Sequence, residues 1–313
     1  MSFSGMVKEE LSRQVSTARH CRIAEIAALL SACGRMTADG ILHFQTENYA
    51  VVRKYFTLLT KTFNIDTAIA IRESCQMKKG KVYFVEIADP AQIETVLQGT
   101  KLSVDKCSGE TLYAGNGLVI QQSCCKRAFI RGAFLASGSI SDPEKGYHFE
   151  IVCSDEQKAE RLRELLRSFE IDAKIVMRKK SYVVYVKEGA QIVDMLAVME
   201  ANVALMNLEN IRIVKEMRNT VNRKVNCETA NINKTVSAAV KQIEDIRFIQ
   251  MSSAFDELPE SLQEMAELRV RYPEATLAEL GQLLDTPVGK SGVNHRLKKI
   301  SLFADELRER HHQ

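Results

Sequence analysis

Residues 290–300 carry Lys290, Ser291, Asn294, His295, Arg296, Lys298 and Lys299 and no acidic residue. Asn and Arg side chains hydrogen-bond base edges bidentately, and Lys, Ser and His reach phosphates or bases, so this string has the chemistry of duplex DNA recognition. To act together these groups need one element whose opposite face is buried. Val293, Leu297 and Ile300 recur at helical spacing and predict a helix over 290–307, with Ser291, Asn294, His295, Lys298 and Lys299 outward and Lys290 and Arg296 flanking. A helix over 259–271 is predicted from Pro259 at its start and the apolar Leu262, Met265, Ala266 and Leu268. Thr276-Leu-Ala-Glu279 reads as a capping box opening a short second helix, which Asp285-Thr-Pro-Val-Gly289 then breaks. Three short helices with a tight turn before a basic third helix predict a helix-turn-helix, whose last helix lies in the major groove. Thr276 is placed with the DNA-contacting set.

The part of the chain before this module is written twice. Residues 21–34 and 125–138 align without a gap as apolar, small-residue-rich helices ending in Gly34 and Gly138. Phe63-Asn-Ile-Asp66 then answers Phe169-Glu-Ile-Asp172, and Ala91-Gln-Ile93 answers Ala190-Gln-Ile192. Hydrophobic periodicity predicts the order αββαββα in each copy, over about 21–97 and 125–199, and hence an α+β fold. Ser154 is expected to cap the middle helix of the second copy. Two copies of one unit pack as a pseudo-two-fold pair, and a two-fold saddle suits duplex DNA. Basic residues fall at the equivalent hairpin turns, Lys78, Lys79 and Lys81 in one copy and Arg178, Lys179 and Lys180 in the other. With Arg223 and Lys224 farther on, these are the cations expected to meet phosphates, a contact that needs only charge and position.

The opening helices resemble those of the LAGLIDADG homing-endonuclease fold, in which the two helices pack together at the dyad. The motif falls on Ile26-Ala-Ala-Leu-Leu-Ser-Ala-Cys-Gly34 and Ile130-Arg-Gly-Ala-Phe-Leu-Ala-Ser-Gly138. That resemblance implies a carboxylate before each final Gly, where it would hold a divalent ion. Cys33 and Ser137 stand there instead, with Ser31 and Leu135 at the other acidic position. A thiol and a hydroxyl are poor Mg²⁺ ligands, so the scaffold is expected to be catalytically inactive, with no catalytic residues. Taken with Asn219-Thr-Val-Asn-Arg-Lys-Val-Asn-Cys-Glu-Thr-Ala-Asn-Ile-Asn-Lys-Thr235 and Lys290-Ser-Gly-Val-Asn-His-Arg-Leu297, the chain resembles the WhiA family of Gram-positive bacteria. The resemblance implies a DNA-binding transcriptional regulator of cell division and chromosome segregation, or of sporulation in some lineages. It also implies a third helix similar to the DNA-reading helix of sigma-factor region-4-type modules. Two other readings stand beside it: an architectural or partner-binding nucleoid protein that regulates no promoter, and a residual metal-dependent nuclease using carboxylates such as Asp39 or Asp142.

The totals set the frame. At 313 residues, 45% apolar and 27% charged, the chain has enough apolar content for two cored domains rather than disorder. The expected division is 1–205 for the duplicated domain, 206–228 for a basic, Asn-rich linker and 229–313 for the helix-turn-helix domain. A net charge of +3 is too small to argue nucleic-acid binding by itself, so the argument rests on where the cations sit. No apolar run suggests a membrane span or a leader, and a cytoplasmic, nucleoid-associated protein is expected. Eight scattered cysteines, with Cys124-Cys125 adjacent and no Cys-x-x-Cys pair, suggest neither a zinc site nor disulfides. No metal, cofactor or small-molecule substrate is therefore expected. Double-stranded DNA is the expected partner, with other transcription or division proteins beside it.

Overall fold

The computed structural model describes residues 2–73, 81–104, 112–114 and 117–311. The chain divides into two compact units, Met1–Lys215 and Glu216–Gln313. In the first unit, α1 (Phe3–Arg13) precedes the first repeat, a helix the sequence reading did not include. Ser2 caps it, accepting from the Gly5 amide, and Phe3, Val7 and Leu11 form its buried stripe. The first repeat is α2 (Arg19–Cys33), β1 (Gly34–Met36), β2 (Leu42–Thr46), α3 (Tyr49–Phe63), β3 (Ile69–Glu73), β4 (Lys81–Ile87) and α4 (Pro90–Thr100). A short antiparallel pair, β5 (Leu102–Val104) and β6 (Leu112–Ala114), follows. The second repeat is α5 (Ser123–Ser137), β7 (Gly138–Ile140), β8 (Phe149–Cys153), α6 (Glu156–Arg167), β9 (Lys174–Arg178), β10 (Ser181–Val186) and α7 (Gly189–Met199). Each repeat thus has the αββαββα order that its pattern predicts.

The two sheets have the same topology, β1-β2-β4-β3 and β7-β8-β10-β9, with every neighbour antiparallel. Register agrees too: Gly34 lies opposite Phe44, and Gly138 opposite Ile151. Alternation sends Leu42 and Phe44, or Phe149 and Ile151, toward the helices, where Phe44 stacks on Tyr55 at 4.0 Å and Phe149 on Phe134 at 5.2 Å. The cap of α6 differs from expectation. Asp155, not Ser154, accepts from the Lys158 amide at 2.8 Å, and the Ser154 hydroxyl donates to the Asp155 carboxylate at 2.9 Å. A carboxylate at a helix N-terminus gains from the dipole as well as the hydrogen bond, so it takes the cap and the serine supports it.

α2 and α5 meet along most of their length. Gly132 permits this, since a methyl there would stand 2.7 Å from the Glu25 carbonyl oxygen and 2.9 Å from the Ala28 Cβ. Beside the crossing, the Glu25 carboxylate is fully buried, 3.1 Å from Lys54 Nζ and 3.3 Å from Arg131 Nε. Arg131 Nη1 reaches on to Glu200 at 2.6 Å and to the Met199 carbonyl at 3.3 Å, and Lys54 Nζ donates to the Leu11 carbonyl at 3.3 Å. Burial pushes Glu25 up and Lys54 down from their ordinary values, and the attraction between them opposes both displacements.

The segment expected as a linker, 206–228, is helical throughout, in keeping with the helical spacing of its Ile211, Val214, Met217 and Val221. It lies within α8 (Asn202–Met251), which contains neither Gly nor Pro. Asn costs less than about 0.7 kcal/mol per helical position, which is too little to break a helix. The Thr220 and Thr235 hydroxyls fold back onto the Glu216 and Asn231 carbonyls instead of competing for the chain.

Replacing Arg131 with Ala leaves the buried Glu25 carboxylate to Lys54 alone and is expected to destabilise the first unit by about 1–3 kcal/mol. Urea denaturation of the full chain checks this, and a shift under about 1 kcal/mol, the worth of an exposed ion pair, would show that Glu25 does not depend on Arg131.

Candidate nucleic-acid interface

In the second unit three helices follow α8: α9 (Glu260–Arg271), α10 (Leu277–Gln282) and α11 (Lys290–His311). Leu262, Met265, Ala266, Leu280, Leu284, Val293, Leu297 and Ile300 close a core with Ile246 and Ile249 of α8. The capping box forms as its sequence predicts. Glu279 N donates to Thr276 Oγ1 at 3.3 Å, and Thr276 N donates to Glu279 Oε2 at 2.7 Å. The Thr276 amide and then its hydroxyl hold the Glu279 carboxyl below the usual carboxylate range. Buried Arg269 donates to the Ala275 carbonyl at 2.7 Å and so fixes the approach to α10.

The turn into α11 is folded back on α10. Val288 N donates to the Gly281 carbonyl at 3.1 Å, and a side chain at Gly281 would run into the Val288 carbonyl oxygen. At its far end α11 is tied to α8: Arg308 donates to the buried Asp245 at 2.7 Å and lies over the Phe248 ring, 5.0 Å from its centroid. The buried side of α11 is therefore held at both ends, which fixes what the other side presents.

That side carries Ser291, Asn294, His295 and Lys298 at i, i+3, i+4 and i+7, all exposed, with Lys290 and Lys299 exposed at its edges. Arg296 is not on this stripe. It is half-buried and turned toward α9, its Nη1 3.5 Å from the Ser261 carbonyl, because position 296 lies beside the Val293–Leu297–Ile300 seam. Thr276 is exposed, but its hydroxyl and amide are both engaged in the cap.

The other expected cations lie elsewhere. Lys78 and Lys79 fall outside the described residues, and Lys81 is exposed at the start of β4. Arg178 is bound by Glu150 at 3.2 Å, which leaves the exposed Lys179 and Lys180 to form the turn, Lys179 at φ 56. Arg223 and Lys224 are exposed on α8. At the ends of α2 and α5, the Cys33 thiol lies 3.8 Å from the Ala136 carbonyl, and burial pushes it up to about 11. Ser137 donates to the Ala133 carbonyl at 3.4 Å. Neither residue supplies a carboxylate. Asp142 accepts from the Glu144 amide within a turn, and Asp39 is exposed in the turn before β2.

A doubled αββαββα body with facing, Gly-terminated helices, followed by a three-helix unit with a basic face, defines a LAGLIDADG-like protein with a helix-turn-helix domain. Family models agree along the chain: the WhiA N-terminal LAGLIDADG-like domain matches residues 19–103, the WhiA LAGLIDADG-like domain 126–218, and the WhiA C-terminal HTH domain 221–304. The chain belongs to the WhiA family. It is 58% identical over 313 residues to a protein of Lachnoclostridium phytofermentans named probable cell division protein WhiA, covering 99% of this chain and 100% of that one. A protein of the same name from Alkaliphilus oremlandii is 46% identical over 315 residues, covering 99% and 98%. The fold is that of the full-length WhiA crystal structure from Thermatoga maritima, with a TM-score of 0.60 at 24% identity over 98% of this chain and 99% of that one. Among the described residues, no helix is long and apolar enough to cross a membrane.

Replacing Thr276 with Ala removes the cap of α10 and is expected to cost about 1 kcal/mol, while Ser in its place keeps most of it. Chemical denaturation of the three proteins measures this, and equal midpoints for Thr, Ser and Ala would show that the cap is not what fixes α10.

Proposed function

We propose that this protein is a sequence-specific DNA-binding regulator that acts in cell division and chromosome segregation, in the cytoplasm and on the nucleoid. Its reading element is α11, lying in the major groove. Asn294 reads a base edge; Ser291, His295 and Lys298 contact bases or phosphates along the same stripe; Lys290 and Lys299 take phosphates at its edges. The observation that carries this reading is the stripe itself: exposed, cationic, free of acid from 290 to 300, and on a helix whose opposite face is locked into a core. The names of the relatives support a role in cell division, and the helix-turn-helix domain supports the partner. Arg296 serves the α9 contact in this reading and not base readout. The duplicated body is catalytically inactive; Lys179 and Lys180 at its turn and Lys81 on β4, with Arg223 and Lys224 on α8 outside that body, are the further phosphate contacts.

Titration of genomic fragments with the full-length protein at two salt concentrations tests the proposal. Asn294→Ala together with Lys298→Ala is expected to abolish selectivity, and Lys298→Ala alone to reduce the salt slope by about 1. Arg296→Ala is expected to lower stability and leave selectivity in place. Undiminished selectivity in the double variant would overturn α11 as the reader, and bound fragments with no shared sequence would favour an architectural role. Duplex DNA incubated with the protein and Mg²⁺ or Mn²⁺ is expected to stay uncut.

A further inference from the structure

Two adjacent pairs of side chains meet at the end of α2 and α5 opposite Gly34 and Gly138. His20 and Cys21 are the second and third residues of α2, and Cys124 and Cys125 are the second and third of α5. One ligand atom from each of the four lies within 4.8 Å of all the others. His20 Nδ1 is 3.1 Å from Cys125 Sγ, 3.4 Å from Cys21 Sγ and 4.0 Å from Cys124 Sγ. The three cysteines are free thiols. Tetrahedral zinc, with Zn–S near 2.3 Å and Zn–N near 2.0–2.1 Å, sets its ligand atoms roughly 3.5–3.8 Å apart. The three N–S distances fall on either side of that spacing, and no pair of the four atoms is more than 4.8 Å apart, so small side-chain rotations suffice to close the tetrahedron.

Chemistry and symmetry agree with the distances. Three thiols and an imidazole make a soft donor set suited to Zn²⁺ and unsuited to Mg²⁺ or Ca²⁺. Cys21 and Cys125 are buried while His20 and Cys124 are exposed, so the cluster has an interior wall and an open entry side. The alignment of the repeats pairs Cys21 with Cys125 and His20 with Cys124, so the ligands come as two dyad-related pairs. Neither helix start is served by a side-chain cap, since Ala18 and Gln122 make no such bond. Both helix starts thus carry first-turn amides without a side-chain cap, and the helix dipoles would favour the negative charge of bound thiolates nearby. Simple packing accounts for the buried Cys21 and Cys125, which touch Ala24 and Ala128, but not for a histidine and a third thiol converging on them from outside.

We propose that His20, Cys21, Cys124 and Cys125 form a structural zinc site that fastens the first turns of the two dyad helices to each other. On binding, the three thiols release their protons to solvent, His20 coordinates as neutral imidazole, and nothing is oxidised or reduced. The expectation of no zinc site rested on the absence of Cys-x-x-Cys. Here each helix supplies an adjacent pair, and the second pair comes from across the dyad.

The test uses full-length reduced protein, stripped with chelator and titrated with Co²⁺ and then Zn²⁺. The expected result is one equivalent per chain, with the thiolate-to-cobalt charge-transfer band and the strong visible bands of tetrahedral Co²⁺, bleached by Zn²⁺. Cys124→Ser and His20→Ala change exposed positions that folding tolerates, and each is expected to lose or markedly weaken the spectrum. Cys227→Ser, at an exposed cysteine on α8, is expected to keep it. No thiolate band in the reduced wild-type chain, or an unaltered band in Cys124→Ser, would overturn the site. So would a disulfide among Cys21, Cys124 and Cys125 in freshly isolated protein, found by mass spectrometry after alkylation, since that would make the cluster a redox pair. None of these readouts involves DNA, so they stand apart from the proposal for α11.

Discussion

The first unit is organised by how closely α2 and α5 approach. Only Gly132 fits over the Glu25 carbonyl, and the small Ala28 lies beside it. At that separation the Glu25 side chain cannot escape to water, and its charge must be met from neighbouring elements. Lys54 of α3 and Arg131 of α5 meet it, and each of those cations then recruits a carbonyl, Leu11 at the end of α1 and Met199 at the end of α7. One carboxylate thereby sets the position of five helices. Such a cluster adds little net stability over apolar residues of the same volume, but any sliding of the helices leaves charge buried and unpaired. What it supplies is a single register for the dyad.

That register carries consequences to both ends of the helix pair. At one end Gly34 and Gly138 lead straight into β1 and β7, and the residues before them are held close across the dyad. In a carboxylate-bearing scaffold that closeness would assemble a metal site. In this chain Cys33 and Ser137 spend their hydrogen bonds on backbone carbonyls. At the other end, about 20 Å away for helices of fifteen residues, the same parallel packing gathers three thiols and an imidazole. The geometry is common to both ends, and the residue types decide which end has coordination chemistry.

Much of this was legible in the sequence because it is local. The αββαββα order, the capping box at Thr276 and the apolar seam of α11 all follow from periodicities of a few residues, and the structure carries each of them. The errors have local causes as well. Phe3, Val7 and Leu11 recur every four residues and mark α1 plainly, yet the polar start of the chain hid the pattern. The Asn-rich stretch looked like a connector because Asn favours turns, although no Gly or Pro interrupts 202–251. Arg296, flanking the outward face by its spacing, joined the readout residues through the resemblance to a sigma-factor-type helix, where its phase puts it at the edge of the core. The His20, Cys21, Cys124 and Cys125 cluster was not legible at all from spacing rules. Its members are more than one hundred residues apart in two pairs, and only the dyad brings them together.

The second unit shows the same division between holding and presenting. Most of a helix's stability within a protein comes from packing of its amphipathic face rather than from propensity, and α11, 22 residues long, is ordered by its contacts in that way. Those contacts lie on one side: Val288 and Gly281 at the entry, Val293, Leu297 and Ile300 along the seam, and Asp245 with Arg308 at the exit. Because these contacts on one side supply the order, the exposed Ser291, Asn294, His295 and Lys298 lie outside the packed seam, and their identities are free to serve recognition. Arg296 and Thr276 lack that freedom, since each already has a partner within the fold. A residue with no duty to the core, on an element the core holds still, is where specificity can be written without loss of stability.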